Sequence, residues 1–400
     1  MKTVIIIGGG ASGTAAALKL RALSPACEIV ILEKNERILK KLLTTGNGRC
    51  NITNTGVSPA DYPAFAQPVI NAYGFESVRD FLLSFSLPIK ADSSGRCYPL
   101  SESANNAVNL LLEALRQAHI KIYTNAAVTG IKKQHGRFIV RADKRYEADA
   151  VIFAAGSAAS VNGYNGRDIL QSLGISFARP SPALCPIPST EPILKSLKGV
   201  RVKGKITLDG KSENGEIQFN ENNISGICAF NLSKYAYDGC KIHLDFREGI
   251  MDESALLHTL KMRTQSVSEN AALLDFLLLR KPAFAVLKRA GIKPSGNPRE
   301  LDDTQLQNIA YHIMHFALTV NKPTDFKRAQ TVCGGAGSEY VHPETLESKA
   351  HKGLFLCGEI LDADAPCGGY NLHWAWASGM CAAKSANRYL NQSYGDLQSD

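Results

Sequence analysis

The chain opens on an unbroken apolar run, Thr3-Val4-Ile5-Ile6-Ile7, which stops at three glycines. From Ala11 to Leu23 apolar residues return at helical spacing, and Glu28–Leu32 is a second apolar run. The first 33 residues therefore predict strand, glycine turn, helix and strand, a βαβ unit. Helical spacing recurs over Asn105–His119, and short strands are predicted at Lys121–Tyr123, Ala126–Ile131 and Arg137–Ala142. Asp149–Gly156 reads as a buried strand ending at a glycine.

The pattern breaks near residue 180, where Pro180, Pro182, Pro186, Pro188 and Pro192 exclude a regular helix or a central strand. Beyond it, alternation predicts antiparallel strands at Arg201–Leu208, Glu216–Phe219 and Lys241–Phe246. Residues 252–317 turn helical, with Leu256, Leu257 and Leu260, then Leu273, Leu274, Leu277 and Leu278, on recurrent faces. After Pro323 the opening style returns: a strand at Gly353–Glu359, a Gly-Gly turn and a helix over Asn371–Leu390. The reading is an α/β chain of two parts, the first of them discontinuous. A Rossmann-like nucleotide-binding domain occupies 1–185 and 326–400, and a substrate domain is inserted at 186–325 (small β unit about 195–250, helices about 251–322).

Composition adds little to that picture. A hydrophobic fraction of 44% and a charged fraction of 20% describe an ordinary folded protein. The formal charge of +8 suits an anionic ligand without naming one. Lys195, Lys198, Arg201, Lys203 and Lys205 are the densest basic run, but Val200, Val202 and Ile206 interleave with them as in a solvated strand face, so nucleic acid is not the expected partner. The ten cysteines show no Cys-x-x-Cys pair and no zinc spacing, so neither metal nor a disulfide framework is expected. Apolar runs are too short for a membrane span, and a cytoplasmic location is the expectation.

Chemistry concentrates in the glycines. Gly8-x-Gly10-x-x-Gly13 follows a strand, opens a helix and has Glu33 twenty residues beyond. In that context Gly8 makes the turn, Gly10 lets backbone approach a pyrophosphate, Gly13 lets helix meet strand, and Ala11 and Ser12 open the helix. A carboxylate at Glu33 suits ribose hydroxyls and disfavours a phosphorylated ribose, which leaves FAD or NAD. FAD is preferred because Gly358-Glu359-Ile360-Leu361-Asp362 and Gly368-Gly369-Tyr370-Asn371 supply a second strand end and a second helix start for one extended ligand. Lys41, Gly46, Gly48, Arg49 and Asn51 lie on a loop soon after Glu33 and are expected at the cofactor, the amides at Gly46 and Gly48 approaching the flavin and its phosphates and Arg49 and Asn51 fixing either the loop or the ring, with Ala155 and Gly156 at the next strand end. Cys50 is read as a packing residue. His373 and Tyr370 are the nearest titratable candidates for acid/base work, and no catalytic residue is assigned.

Gly8–Gly13, Gly46–Asn54, Gly95-Arg96-Cys97-Tyr98-Pro99, Glu344–Lys349 and Gly358–Leu372 together resemble the BaiN-like aminoacetone oxidase family of flavoproteins over nearly the whole chain. The resemblance implies bound FAD, an FAD domain of glutathione-reductase type split by an inserted β-barrel plus helical domain, and a substrate pocket between the two. It places Ser12, Glu33, Lys34, Val128, Asp362, Asn371 and Leu372 at positions that contact FAD. Members are described as aminoacetone oxidases, as dehydro-bile-acid reductases or as flavoproteins without a substrate. Asn223–Ile227 and Gly334–Ser338 depart from the family pattern, so no substrate is carried across. A second nucleotide fingerprint is absent, since Gly335-x-Gly337 lacks its third glycine, so oxygen or a transiently docked NAD(P)H is the expected redox partner of a small organic substrate. The competing readings are a flavin-holding module that recognises RNA or a protein, and an NAD-dependent dehydrogenase.

Overall fold

A computed structural model describes residues 1–159, 166–247, 249–321 and 324–395. The chain divides into two compact units, Met1–Ser181 with Thr331–Asp400, and Pro182–Gln330. The crossings lie four residues before the 185 boundary read from the proline cluster and five residues after the 325 boundary read from the change of pattern past Pro323.

In the first unit a five-stranded parallel sheet runs in the order Leu354–Leu356, Ala150–Phe153, Thr3–Ile7, Glu28–Leu32, Lys121–Tyr123. The strand order reverses direction between Thr3–Ile7 and Ala150–Phe153, the place where such sheets leave a crevice for a nucleotide. Val4, Ile5, Ile6, Val151, Ile152 and Phe153 are fully enclosed, because both faces of these central strands are covered. The first helix, Ala11–Leu23, is rich in alanine and packs along the last helix, Tyr370–Gly395. Two small antiparallel sheets are added: Gly130–Gln134, Arg137–Arg141 and Arg145–Ala148, and Thr53–Asn54, Arg96–Pro99 and Ile89–Ala91. The strand expected over Ala126–Ile131 begins only at Gly130. Before it, the amides of Asn125 and Ala126 bond to the carbonyls of Asn35 and Glu33, which pulls the segment out of the hairpin.

The second unit is a six-stranded antiparallel sheet, Ile187–Pro188, Asn223–Ser225, Lys211–Phe219, Arg201–Leu208, Lys241–Asp245, Phe316–Thr319. Pro188 is tolerated because its strand lies on an edge, where no ladder partner needs its missing N–H. Side chains draw the two edges together: Glu191 accepts from the Thr319 amide at 2.7 Å and Asn321 from the Thr190 amide at 2.8 Å. Arg201, Lys203 and Lys205 occupy the exposed face of their strand, as the alternation predicted. Helices Glu253–Thr264, Arg280–Arg289 and Asp303–Met314 share the core with the sheet, the first and last capped by Asp252 and Asp302. The leucine run read as helical over 273–278 contains instead the short 3-10 turn Asn270–Leu274. Its leucines are buried all the same, so burial and not periodicity set the pattern.

Candidate functional site

Close packing requires the glycines at the first turn. A Cβ on Gly13 would overlap the Gly8 carbonyl oxygen, so only glycine lets the first helix rise this close to the strand end. Gly10 is different: a Cβ there meets nothing within 4 Å, and no side chain caps the helix it precedes. Thr14 N donates to Gly10 O at 2.9 Å, so the helical ladder begins at Thr14 and the amides of Ala11, Ser12 and Gly13 stand before it. The result is an open space in front of unspent N–H dipoles, which favour an anion.

Glu33 ends the second strand and is 7% exposed. Its Oε2 accepts from the Gly9 amide at 2.8 Å, and its Oε1 accepts from the Asn35 amide at 2.8 Å and the Asn35 side chain at 2.6 Å. Two carboxylate oxygens offer roughly four acceptor positions, so Oε2 keeps one for a ribose hydroxyl. The segment carrying Val128 runs beside it through the Ala126-to-Glu33 bond, and Val128 itself is buried. Lys34 is half-buried, and that burial lowers its ammonium below the usual lysine range.

The distant C-terminal glycines arrive at the same place. The Ser12 side chain occupies the direction in which Gly358 would carry a Cβ. Gly358 N donates to Ser378 Oγ at 2.9 Å, and Trp374 Nε1 donates to Gly358 O at 3.0 Å. Next to Gly358, Glu359 Oε2 accepts from Lys41 Nζ at 2.6 Å and from Ser157 Oγ at 2.9 Å. This cluster joins the loop after the second strand, the end of the Ala150–Phe153 strand with its half-buried Ala155 and Gly156, and the C-terminal segment. Ser157 was missed in the sequence; its only signal was a small polar residue directly after a strand-ending glycine. Asp362 Oδ1 accepts from the Gly334 amide at 2.7 Å.

The last helix starts on Gly368 and Gly369, whose φ values are +121° and +106°. Its first backbone bond is His373 N to Gly369 O at 3.0 Å, which places the amides of Tyr370, Asn371 and Leu372 outside the ladder. The Asn371 side chain closes the preceding loop by bonding Ala365 N and O, and Tyr62 OH donates to Tyr370 O. Asn51, with its amide oriented to satisfy its neighbours, donates to Thr53 O and Cys97 O and accepts from Gly369 N. Leu372 is half-buried against the core.

Arg49, Cys50 and His373 are held by protein partners or by burial. Arg49 stacks over the Tyr98 ring at 4.5 Å and pairs with Glu102 at 3.9 Å, which fixes the loop from its outer side. Gly46 lies inside the same loop, in a left-handed conformation that turns the chain back toward Asn51, while Gly48 is exposed. Cys50 is fully enclosed, and burial pushes its thiol up to about 12. His373 is fully enclosed too: Thr53 Oγ1 lies 2.8 Å from Nδ1 and Tyr73 O lies 2.9 Å from Nε2. A carbonyl only accepts, so Nε2 carries the proton and the Thr53 hydroxyl donates to Nδ1. The imidazole is a clamp between the last helix and two earlier segments.

That clamp has a measurable pH signature. Burial lowers the His373 imidazole to about 4 from the usual 6.5, so the unfolded chain takes up a proton between pH 6.5 and 4 that the folded chain refuses. Stability contributed by the neutral ring is whole above pH 6.5 and falls with pH until about 4, by up to about 3 kcal/mol. Urea unfolding from pH 7 to 4.5 is expected to show this loss in the natural protein and a flatter profile in His373→Gln.

Fold and site together define a protein of the Rossmann type, in which the start of the first helix meets Gly358 from the far end of the sequence. Residues 2–385 match the HI0933-like protein Rossmann domain family, and the chain belongs to that family. A 3-dehydro-bile acid delta(4,6)-reductase of Clostridium scindens is 33% identical over 408 residues, covering 96% of this chain and 99% of the relative. A ribosomal RNA dihydrouridine synthase of Haemophilus influenzae is 25% identical, covering 96% and 98%. Among solved structures, a 3-ketosteroid-delta4-(5alpha)-dehydrogenase of Rhodococcus jostii RHA1 shares the fold at 15% identity and a TM-score of 0.51, covering 96% of this chain and 97% of that one. The resemblance read from the glycine motifs thus names the right family. No helix of the described residues is long and apolar enough to cross a membrane.

Proposed function

We propose that this chain is an FAD-dependent oxidoreductase that saturates a carbon–carbon double bond conjugated to a carbonyl group in a small organic molecule, with NAD(P)H as the source of electrons. The observation that supports the cofactor assignment is the meeting of Ser12 with Gly358 at the uncapped start of the first helix, with the Glu33 carboxylate on the adjoining Gly9 amide. The residues fit a flavin dinucleotide at both ends. The amides after Gly10 would hold the pyrophosphate, Glu33 a ribose, the Lys41–Glu359–Ser157 cluster and Asp362 the middle of the chain, and the amides of Tyr370–Leu372 the ring end. When bound, FAD supplies two-electron hydride exchange. Positive helix-end dipoles at both places offset negative charge without any proton donor.

Support for the substrate class comes from the relatives. One is named for reducing the 4,6-diene of a 3-oxo bile acid and another for making dihydrouridine, and each name describes loss of a double bond conjugated to a carbonyl. The small-molecule reading is preferred because the relative of higher identity, 33% against 25%, acts on a small molecule. His373 takes no part in proton movement on this reading, since both ring nitrogens are already engaged.

The test is to mix the purified yellow protein anaerobically with NADH or NADPH, then with a 3-oxo-4,6-diene bile acid. The flavin colour should bleach with one nicotinamide and return with the dienone. A protein that stays colourless after incubation with FAD removes the cofactor assignment; colour that returns only with oxygen makes it an oxidase and removes the reductase reading.

A further inference from the structure

The Gly95–Pro99 segment has so far been given no task. It forms the middle strand of the sheet with Thr53–Asn54 and Ile89–Ala91, and Arg96 stands in register with Asn54. The Asn54 amide donates to Gly368 O at 2.9 Å, so Arg96 is tied to the turn from which the last helix starts. Its Cγ and the Tyr370 ring flank Gly368 on the side a Cβ would take. The side chain is 30% exposed, within reach of a ligand yet partly withdrawn from water.

Asp92 holds this arginine by one edge only. Asp92 Oδ2 accepts from Arg96 Nε at 2.8 Å and its Oδ1 from the Arg96 amide at 3.1 Å. Among the described residues neither Nη group of Arg96 has a hydrogen-bond acceptor. By contrast Arg247 spends Nη2 on Asp245, and Arg263 spends Nη2 on the Ala272 carbonyl. A guanidinium fixed along one edge, with its two-pronged fork unspent, suits an oxyanion better than any other side chain does.

We infer that Arg96 receives the carbonyl oxygen of the substrate, donating from Nη and stabilising the negative charge that builds on that oxygen as hydride reaches the β carbon. The inference rests on the double-bond-reduction reading above. Atoms and electrons balance: the double bond gains a hydride originating in NAD(P)H, which leaves as NAD(P)+, and the α carbon takes one proton from solvent. Arg96 itself neither gains nor loses a proton.

The experiment compares the natural protein with Arg96→Gln and Arg96→Lys, using the 3-oxo-4,6-diene bile acid as probe under anaerobic conditions. Arg96→Gln should slow reoxidation of the reduced protein by the dienone on the order of 100-fold, with part of the rate restored in Arg96→Lys. Bleaching by NAD(P)H, the flavin midpoint potential and the melting temperature should stay at natural values in both. Unchanged dienone rates in Arg96→Gln would overturn the inference, as would a midpoint potential that moves while the dienone rate does not. If Arg96→Gln fails to fold, Arg96→Lys decides alone: a dienone rate lowered several-fold with natural bleaching by NAD(P)H sustains the inference, and a dienone rate equal to that of the natural protein overturns it. A natural protein whose colour never returns with the dienone sinks the underlying reading as well, and is seen before any variant is made.

Discussion

Gly10→Val is expected to yield a folded, soluble and colourless protein. Gly10 has a φ of −77°, open to any residue, and a Cβ there has no protein atom within 4 Å, so the substitution costs the apoprotein no more than about 1 kcal/mol through a poorer helix N-cap. The space it fills is the one in front of the amides of Ala11–Gly13. Hydrogen bonds to a charged group contribute about 1.5–3 kcal/mol each, and displacing the pyrophosphate from two of them weakens FAD binding by at least about 100-fold. Titrating apoprotein with FAD while following its melting temperature separates the two effects. A variant that binds FAD as tightly as the natural protein would show that the open space belongs to something else.

Gly369→Ala should do the opposite and damage the fold first. At φ +106° an alanine is strained, at a cost of about 1–3 kcal/mol, and its Cβ would overlap the Thr53 carbonyl oxygen, a backbone atom held in the small sheet. Overpacking of this kind adds about 1–3 kcal/mol more. Together these lower the melting temperature by roughly 10 °C in a unit of this size, and the cofactor is lost with the turn. Gly368→Ala is the control: its φ is +121°, but the nearest atom, Asn54 Nδ2, lies 3.7 Å from the Cβ direction, so only the strain remains. Equal melting temperatures for the two alanine variants would mean that the overlap relaxes freely.

Much of the first unit was legible from local pattern. Thr3–Leu32 declares a βαβ unit because the apolar runs, the glycine spacing and the helix all lie within thirty residues and obey backbone rules that need no distant partner. The proline cluster near residue 180 was legible as a break because proline excludes central strands whatever surrounds it. What stayed hidden depends on partners remote in sequence. His373 is a clamp because Thr53 and Tyr73, 320 and 300 residues away, happen to face it, and nothing adjacent to it records that. Of the two roles open to Arg49, fixing the loop or fixing the ring, its glycine neighbours could not choose, because the Tyr98 ring it stacks on lies 49 residues away. The sheet of Thr53–Asn54, Ile89–Ala91 and Arg96–Pro99 escaped notice because strands of two to four residues are too short for alternation to register. The run Leu273–Leu278 misled for a related reason, since its leucines are buried or half-buried and Asp275 is its one exposed residue, too little to reveal a period.

The placement of Gly358 against Ser12 also bears on how the protein is made. Translation releases the first 181 residues long before the strand Leu354–Leu356 and the last helix exist, so the parallel sheet waits with an open edge and the first helix with its alanine face bare. The inserted unit, 182–330, is contiguous and is delivered whole in the meantime. Only the final seventy residues seal the earlier half, so a ribosome that stalls late leaves a nascent chain with a finished insert and an unsealed, sticky nucleotide half for chaperones to hold.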